Sequence, residues 1–110
     1  SGQLTKMVNQ ICIAGLIQAL AEGIHFSSQA GLNTADVMDV ITKGAAQSWQ
    51  MENRWKTMLN DKYDFGFAVD LMRKDLDIVL KQAKKMNTEL EITDLVNSFY
   101  KDIQKLGGGR

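Results

Sequence analysis

The chain has 110 residues, enough for one domain with a single hydrophobic core. Its 13 basic and 13 acidic residues give a formal net charge of zero, which argues against nucleic acid or an anionic membrane as the main partner. The single cysteine, Cys12, excludes an intrachain disulfide and favours a reducing, cytoplasmic compartment.

A long first helix is predicted over Gln3–Ala30, because no proline interrupts it and Gly31 is a suitable residue to end it. The segment Ile11–Ala21 is apolar nearly all round, which predicts a central helix enclosed by the others. Gln18 breaks this run, which falls short of the roughly 20 apolar residues of a membrane span. Small residues at helical spacing predict close packing of a neighbouring helix: Gly15, Ala19 and Gly23.

Two short helices are predicted next. Asn33 or Thr34 caps the second helix, which ends before Gly44. Ser48 caps the third helix, which continues to Leu59.

The last two helices follow a turn-rich segment at 60–64. The fourth is predicted over Phe67–Met86, and Thr93 is predicted to cap a fifth that reaches Leu106. The fourth carries apolar residues at helical spacing: Met72, Leu76, Val79, Ala83 and Met86. Since no run of alternating β-branched residues competes, the chain is predicted to be an all-α bundle of five to six helices around the first.

A polar group marks the start of the first helix. Lys6, Asn9 and Gln10 stand at i, i+3 and i+4, so an α-helix places them on one face. Apolar residues continue that face into the core: Ile13, Ile17 and Leu20. A lysine beside a buried apolar stripe is costly unless a polar group meets it, which makes this face a candidate site.

Two blocks of the sequence carry a family resemblance. Gly2-x-x-x-Lys6-x-x-Asn9-Gln10 resembles the catalytic helix of the β-hydroxyacid dehydrogenases, which include 3-hydroxyisobutyrate, tartronate semialdehyde and 6-phosphogluconate dehydrogenases. The segment 67–76, Phe-Ala-Val-Asp-Leu-Met-Arg-Lys-Asp-Leu, resembles the Lys-Asp-Leu helix of the same family. Their order and spacing also fit, so the resemblance spans nearly the whole chain.

The resemblance implies that residues 1–110 are a C-terminal, substrate-side helical domain like that of 6-phosphogluconate dehydrogenase. The Gly-x-Gly-x-x-Gly turn of a Rossmann domain is not found in the sequence, so the domain alone is expected to be inactive. The family implies an NAD(P)-dependent oxidoreductase that acts on a small β-hydroxy acid and forms homo-oligomers. NAD and NADP both remain open.

The resemblance also assigns roles to particular residues. Lys6 is the implied general acid or base, and Asn9 or Gln10 is the amide that orients the substrate. Lys74 is the implied contact to the nicotinamide cofactor, and Phe67 precedes it where it could line the same pocket.

Each assignment has a plainer alternative. Lys6 could be an ordinary solvent-facing lysine at a helix start, and Lys74 could form surface ion pairs with Asp70 and Asp77, which lie at i−4 and i+3. Asp75 has no basic residue at i±3 or i±4, so it needs a partner from elsewhere and is interpreted as structural support for the site. His25 has no other potential ligand at metal-binding spacing, and no metal site is expected.

Two rival readings of the whole chain remain. It could be a non-catalytic dimerisation or interaction module descended from the family, for which loss of the lysine at position 6 would be the natural mark. It could also be an unrelated helical bundle, in which case both blocks are coincidence.

Overall fold

The computed structural model describes residues 2–60 and 69–106. Within them the chain is all-helical, as predicted, with five helices. These are α1 (Gly2–Gln29), α2 (Thr34–Ile41), α3 (Trp49–Leu59), α4 (Val69–Lys85) and α5 (Glu91–Lys105). The prediction that the fourth helix begins at Phe67 lies outside the described residues.

The helices form two compact units, and α1 contributes to both. The first unit contains α1 up to Gly15, together with α4 and α5. Its core is a cluster of buried residues against which Ile13 and Val69 pack: Ala14, Met72, Leu76, Val96 and Tyr100. The predicted apolar positions of α4 are buried as far as Ala83, whereas Met86 lies past the helix end and is exposed.

A polar network joins α4 to α5 beside this core. Asp77 accepts hydrogen bonds from Arg73 Nη1 at 3.2 Å and from Asn97 Nδ2 at 2.9 Å. Gln104 accepts from Arg73 Nε at 3.1 Å and donates to Asp70 at 2.6 Å. These bonds define which residues of the two helices face each other.

Burial of Tyr100 predicts a loss of stability in alkaline solution. Desolvation raises the pKa of its hydroxyl above the usual 10.0. Above pH 10.0, the usual pKa of tyrosine, the unfolded chain loses the Tyr100 proton while the folded chain keeps it. The free energy of unfolding therefore falls as pH rises. Urea unfolding at about pH 8 and about pH 10.5 measures the decrease. Tyr100→Phe should show a smaller decrease, and an equal decrease in both proteins would contradict this assignment.

The second unit contains α1 from Leu16 onward, α2 and α3. The cap of α2 is Asn33, whose side chain accepts from Asp36 N at 3.1 Å, and Ser48 caps α3 as predicted. The hydroxyls of Ser27 and Thr34 form a buried 2.9 Å hydrogen bond between α1 and α2. Three methionines are buried in this unit: Met38, Met51 and Met58.

Gly31 ends α1 in the predicted way. Its φ of +75° is in the left-handed region. The Gly31 N–H donates to Ser28 O and the Leu32 N–H donates to Ser27 O, both at 3.1 Å. This pair of bonds is the Schellman motif, which supplies partners for carbonyls that the helix leaves unpaired.

Gly31→Ala should lower the free energy of unfolding by about 1–2 kcal/mol, because a Cβ is disfavoured at positive φ. Gly44→Ala is the matched control, since Gly44 has no positive φ and its added Cβ would lie 3.8 Å from Ile41 O, an ordinary contact. Urea denaturation of both variants gives the comparison. Equal effects at the two positions would refute the conformational explanation.

The prediction that α1 is enclosed on every side is wrong for the described residues. Ile17, Leu20 and Ile24 are buried, but Leu16 and Phe26 on other faces are 44% and 73% exposed, and Cys12 is exposed as well. A Cβ added at Gly15 or Gly23 would meet no described residue within 4 Å, so within the described part of the chain the small-residue stripe makes no close helix contact at these two positions.

Two further expectations need correction. Helix α5 begins at Glu91, with Leu90 at its cap position and no side-chain cap, so Thr93 is a buried residue inside the helix. The acidic side chains of its first turn, Glu91 and Asp94, favour this earlier start through the helix dipole. Helix α1 is also long and apolar enough to cross a membrane, contrary to the prediction that its apolar run is too short. The core helices of soluble proteins can have the same length and composition.

Candidate functional site

The polar face predicted at the start of α1 lines a cavity of about 290 Å³. The opposite wall comes from α4. The lining residues are Gln3, Lys6, Met7, Gln10, Asp75, Ile78 and Val79. Three of the predicted site residues, Lys6, Gln10 and Asp75, therefore share one cavity although 65 residues separate Gln10 from Asp75.

A direct hydrogen bond joins the two walls. Gln10 Nε2 donates to Asp75 Oδ2 at 2.9 Å, and both residues are partly buried. The partner that Asp75 was expected to find elsewhere is therefore an amide of α1. A bond from an amide to a carboxylate is charge-assisted and stronger than a neutral one.

Asn9 and Gln10 differ in whether their side chains line the cavity. Asn9 is exposed and does not line it, and its Nδ2 donates to Gln10 Oε1 at 3.3 Å. Gln10 lines the cavity and contacts Asp75. Of the two amides, only the one four residues after Lys6 therefore lines this cavity.

Lys6 is more exposed than the sequence indicated. Lys6 is exposed to solvent, and no acidic residue occurs in the first turn of α1. Within residues 2–60 and 69–106 it forms no ion pair. A lysine side chain without an ion-pair partner at the rim of a cavity of mixed polar and apolar lining can exchange a proton with, or donate hydrogen bonds to, a ligand oxygen.

Lys74 lies in a neighbouring cavity of about 410 Å³ in the same unit. The ion pairs proposed as its plainer explanation do not form among the described residues, since Asp77 pairs with Arg73 and Asp70 accepts from Gln104. Ile78 lines both cavities. Phe67, the other proposed cofactor contact, lies outside the described residues.

Sequence reasoning missed three residues beside Lys74, namely Arg73, Lys81 and Gln104, all of which line its cavity. Lys81 could have been predicted from the sequence, because a spacing of seven residues places it on the same helical face as Lys74. Gln104 could not have been, since it comes from α5 and only the fold brings it to α4. The wall holds three cationic side chains with two acids, Asp70 and Asp77.

A larger cavity, of about 570 Å³, lies where α4 connects to α5 and contains none of the predicted site residues. Its charged lining is mainly acidic, with Glu89, Glu91 and Asp94 against Lys84. In the described part of the chain no group of three or more His, Cys, Asp or Glu side chains could hold a metal ion.

Over residues 1–110 the sequence matches the family described as NAD-binding of NADP-dependent 3-hydroxyisobutyrate dehydrogenase. The chain belongs to the 3-hydroxyisobutyrate dehydrogenase family. Its fold is that of the family's C-terminal helical domain, so the resemblance carried by the two sequence blocks is confirmed.

Individual relatives agree with this membership. An oxidoreductase of Shewanella frigidimarina (strain NCIMB 400) is 59% identical over 110 residues, which make up 100% of this chain and 38% of the relative. A crystal structure of 3-hydroxyisobutyrate dehydrogenase from Salmonella typhimurium has a TM-score of 0.85 and 30% identity, covering 96% of this chain and 37% of that one.

The 3-hydroxyisobutyrate dehydrogenase of Mycobacterium tuberculosis has a TM-score of 0.88 at 21% identity, covering 99% of this chain and 40% of that one, and shows the shared fold. The chain thus spans about two fifths of the length of these family members.

Proposed function

We propose that this chain is the substrate-side helical domain of an NAD(P)-dependent β-hydroxyacid dehydrogenase, with a separate domain binding most of the cofactor. The observation that carries the proposal is the meeting of Lys6, Gln10 and Asp75 in one cavity of about 290 Å³. That volume suits a small substrate. The family relationship supports oxidoreductase activity.

Lys6 acts as general acid and base. In the oxidation direction its amine takes the proton of the substrate hydroxyl at Nζ, while the carbon that bears this oxygen loses a hydride and the C=O bond forms. In reduction the Lys6 ammonium returns the proton to the carbonyl oxygen. When bound, the nicotinamide cofactor supplies the hydride acceptor or donor. Gln10 orients the substrate, and Asp75 supports Gln10.

Lys74 would contact the nicotinamide cofactor, and Phe67, which lies outside the described residues, is the second proposed contact. The fit to an anionic cofactor rests on the cavity that Lys74 shares with Arg73 and Lys81, because phosphate groups are met by lysine and arginine side chains. Lys74 has no competing ion pair among the described residues. The charged side chains of this cavity do not favour NAD over NADP or NADP over NAD.

A fusion protein tests the proposal. This chain replaces the matching 38% of its 59% identical relative, so that the relative supplies the remainder of the enzyme. We expect nicotinamide-dependent oxidation of a small β-hydroxy acid, followed by absorbance of the reduced cofactor. The chain alone should show none.

Lys74→Ala in this fusion should raise the KM for the nicotinamide cofactor several-fold and leave kcat nearly unchanged, because a binding contact outside the chemical step is lost. Lys84→Ala is the control, since that exposed lysine of α4 lines a different cavity. Steady-state kinetics at varied cofactor concentration separate the two constants. A fall in kcat with an unchanged KM would contradict the assigned role.

The second candidate, a non-catalytic interaction module, is favoured by one observation. Helix α1 exposes Leu4, Val8, Leu16 and Phe26, and exposed apolar surface tends to find partners. The same surface supports a homo-oligomer in the proposed cytoplasmic enzyme. An inactive fusion that is folded and self-associated, by light scattering, would favour the module over the enzyme.

A further inference from the structure

Helix α5 carries an apolar stripe, here called the α5 stripe, that the first unit leaves in contact with water. Its members follow one another at spacings of three or four residues and therefore lie on one face: Ile92, Leu95, Phe99, Ile103 and Leu106. Ile92 and Leu106 are 73% and 87% exposed, Leu95 and Ile103 are exposed as well, and Phe99 is half-buried. At 1.5 Å per residue the stripe is about 21 Å long.

A different face of α5 attaches the helix to the first unit. Thr93, Val96, Asn97 and Tyr100 are buried on that face, and Asn97 donates a hydrogen bond to Asp77 of α4. The α5 stripe is therefore additional to the contacts that hold α5 in the unit. A continuous apolar surface that remains exposed after folding commonly marks an interface with another molecule.

The charged side chains of α5 differ between its two ends. The first turn holds Glu91 and Asp94, and the last turn holds Lys105. Glu91 and Lys105 are separated by four helical turns, so they lie on the same side of the α5 stripe. Neither forms an ion pair among the described residues. Lys101 and Asp102, which lie between the ends, cancel each other in charge.

We propose that the α5 stripe binds the same stripe of a second copy of this chain, with the two helices antiparallel. The spacing of the stripe reads the same in both directions, so that a two-fold axis at Phe99 brings apolar residues together along its whole length. Ile92 then lies opposite Leu106 of the partner subunit, and Leu95 lies opposite Ile103 of the partner subunit.

The charges at the two ends of α5 favour this partner and this direction. In the antiparallel pair Glu91 of each copy lies beside Lys105 of the partner subunit, and the helix dipoles oppose each other. A parallel pair would place like charges together at both ends. A basic peptide would match the acidic end and be repelled at the other. This inference does not depend on the proposed function, because it rests on the surface of α5 alone.

Sedimentation velocity of the 110-residue chain tests the surface. The unmodified chain should be dimeric at micromolar concentration. Leu95→Glu should raise the Kd of the dimer at least about 10-fold, because it would place two carboxylates in an apolar contact. Leu71→Glu is the matched control, since Leu71 is 57% exposed against 55% for Leu95 but lies on α4. It should leave the Kd unchanged, and circular dichroism checks that both variants fold.

Charge reversal tests the antiparallel direction. Glu91→Lys and Lys105→Glu should each weaken the dimer several-fold, because each variant brings like charges together at both ends of the pair. An equimolar mixture of the two variants should form a mixed dimer about as tight as the unmodified one, because opposite charges then meet at both ends again. Loss of folding in either variant could not produce that recovery.

The outcomes decide the inference without any measurement of activity. A monomeric unmodified chain, or a dimer that persists in Leu95→Glu, overturns it. A dimer that resists Leu95→Glu but is lost in Val8→Glu would assign the contact to the exposed residues of α1 instead. If the charge variants weaken the dimer and their mixture does not restore it, the antiparallel pairing is wrong. The proposed function is tested separately by the fusion protein.

Discussion

Lys6→Ala should lower kcat of the fusion enzyme by about 10²- to 10⁴-fold, the usual contribution of a positioned general acid or base. The substrate oxygen would lose the group that exchanges its proton during hydride transfer. Folding should be nearly unaffected, because Lys6 is exposed and forms no ion pair with the described residues. Stopped-flow or steady-state turnover measures the loss, and circular dichroism checks the fold.

Two further variants separate proton transfer from charge. Lys6→Arg keeps a cation but provides a group that does not give up its proton, so turnover should remain low. Lys101→Ala removes an exposed lysine of α5 that lines none of the three cavities described above, and its turnover should be normal. If Lys6→Ala keeps near-normal turnover, the catalytic role is wrong and the interaction module becomes the leading interpretation.

Leu76→Ala should lower the free energy of unfolding by about 3–5 kcal/mol, because it removes buried methyl groups and leaves a cavity. Leu76 is 0% exposed and belongs to the cluster that joins α1, α4 and α5 of the first unit. Urea denaturation followed by circular dichroism gives the value. The loss is a large share of the whole stability of a domain of this size.

Leu71→Ala is the matched control for this substitution. Leu71 lies on the same helix and is 57% exposed, so its truncation should cost less than about 1 kcal/mol. Similar losses at the two positions would show that Leu76 does not occupy the core described here. A large loss at Leu71 alone would indicate that this face of α4 is covered in solution.

Local features of the chain could be predicted from sequence because their causes lie within a few residues. The side chain of Ser48 reaches the N–H of Met51, three residues away, and Gly31 adopts its positive φ next to the helix that it ends. The alignment of Lys6 with Gln10 likewise follows from the pitch of one helix. Such predictions require no knowledge of the fold.

Helix boundaries were less reliable where local signals compete. Thr93 is a common cap type, yet α5 begins at Glu91 and buries Thr93 within its first turn. The apolar residues on all faces of α1 predicted burial on every side. An apolar pattern shows which residues would gain from burial, but whether another helix covers them depends on the tertiary structure. Leu16 and Phe26 remain exposed for that reason.

The sequence by itself determined the helical class, most caps and the polar face of α1, because backbone hydrogen bonds and helical spacing are local. Only the tertiary structure decided that Asp75 is the partner of Gln10, that Asn9 lies outside the cavity, and that Asp70 and Asp77 are engaged away from Lys74. The contacts of Asp75 and Asp70 join distant parts of the chain, and they depend on how α1, α4 and α5 pack around Leu76. Polar side chains on neighbouring helices compete for the same hydrogen-bond partners. Which pairs form therefore cannot be predicted from residue spacing along one helix.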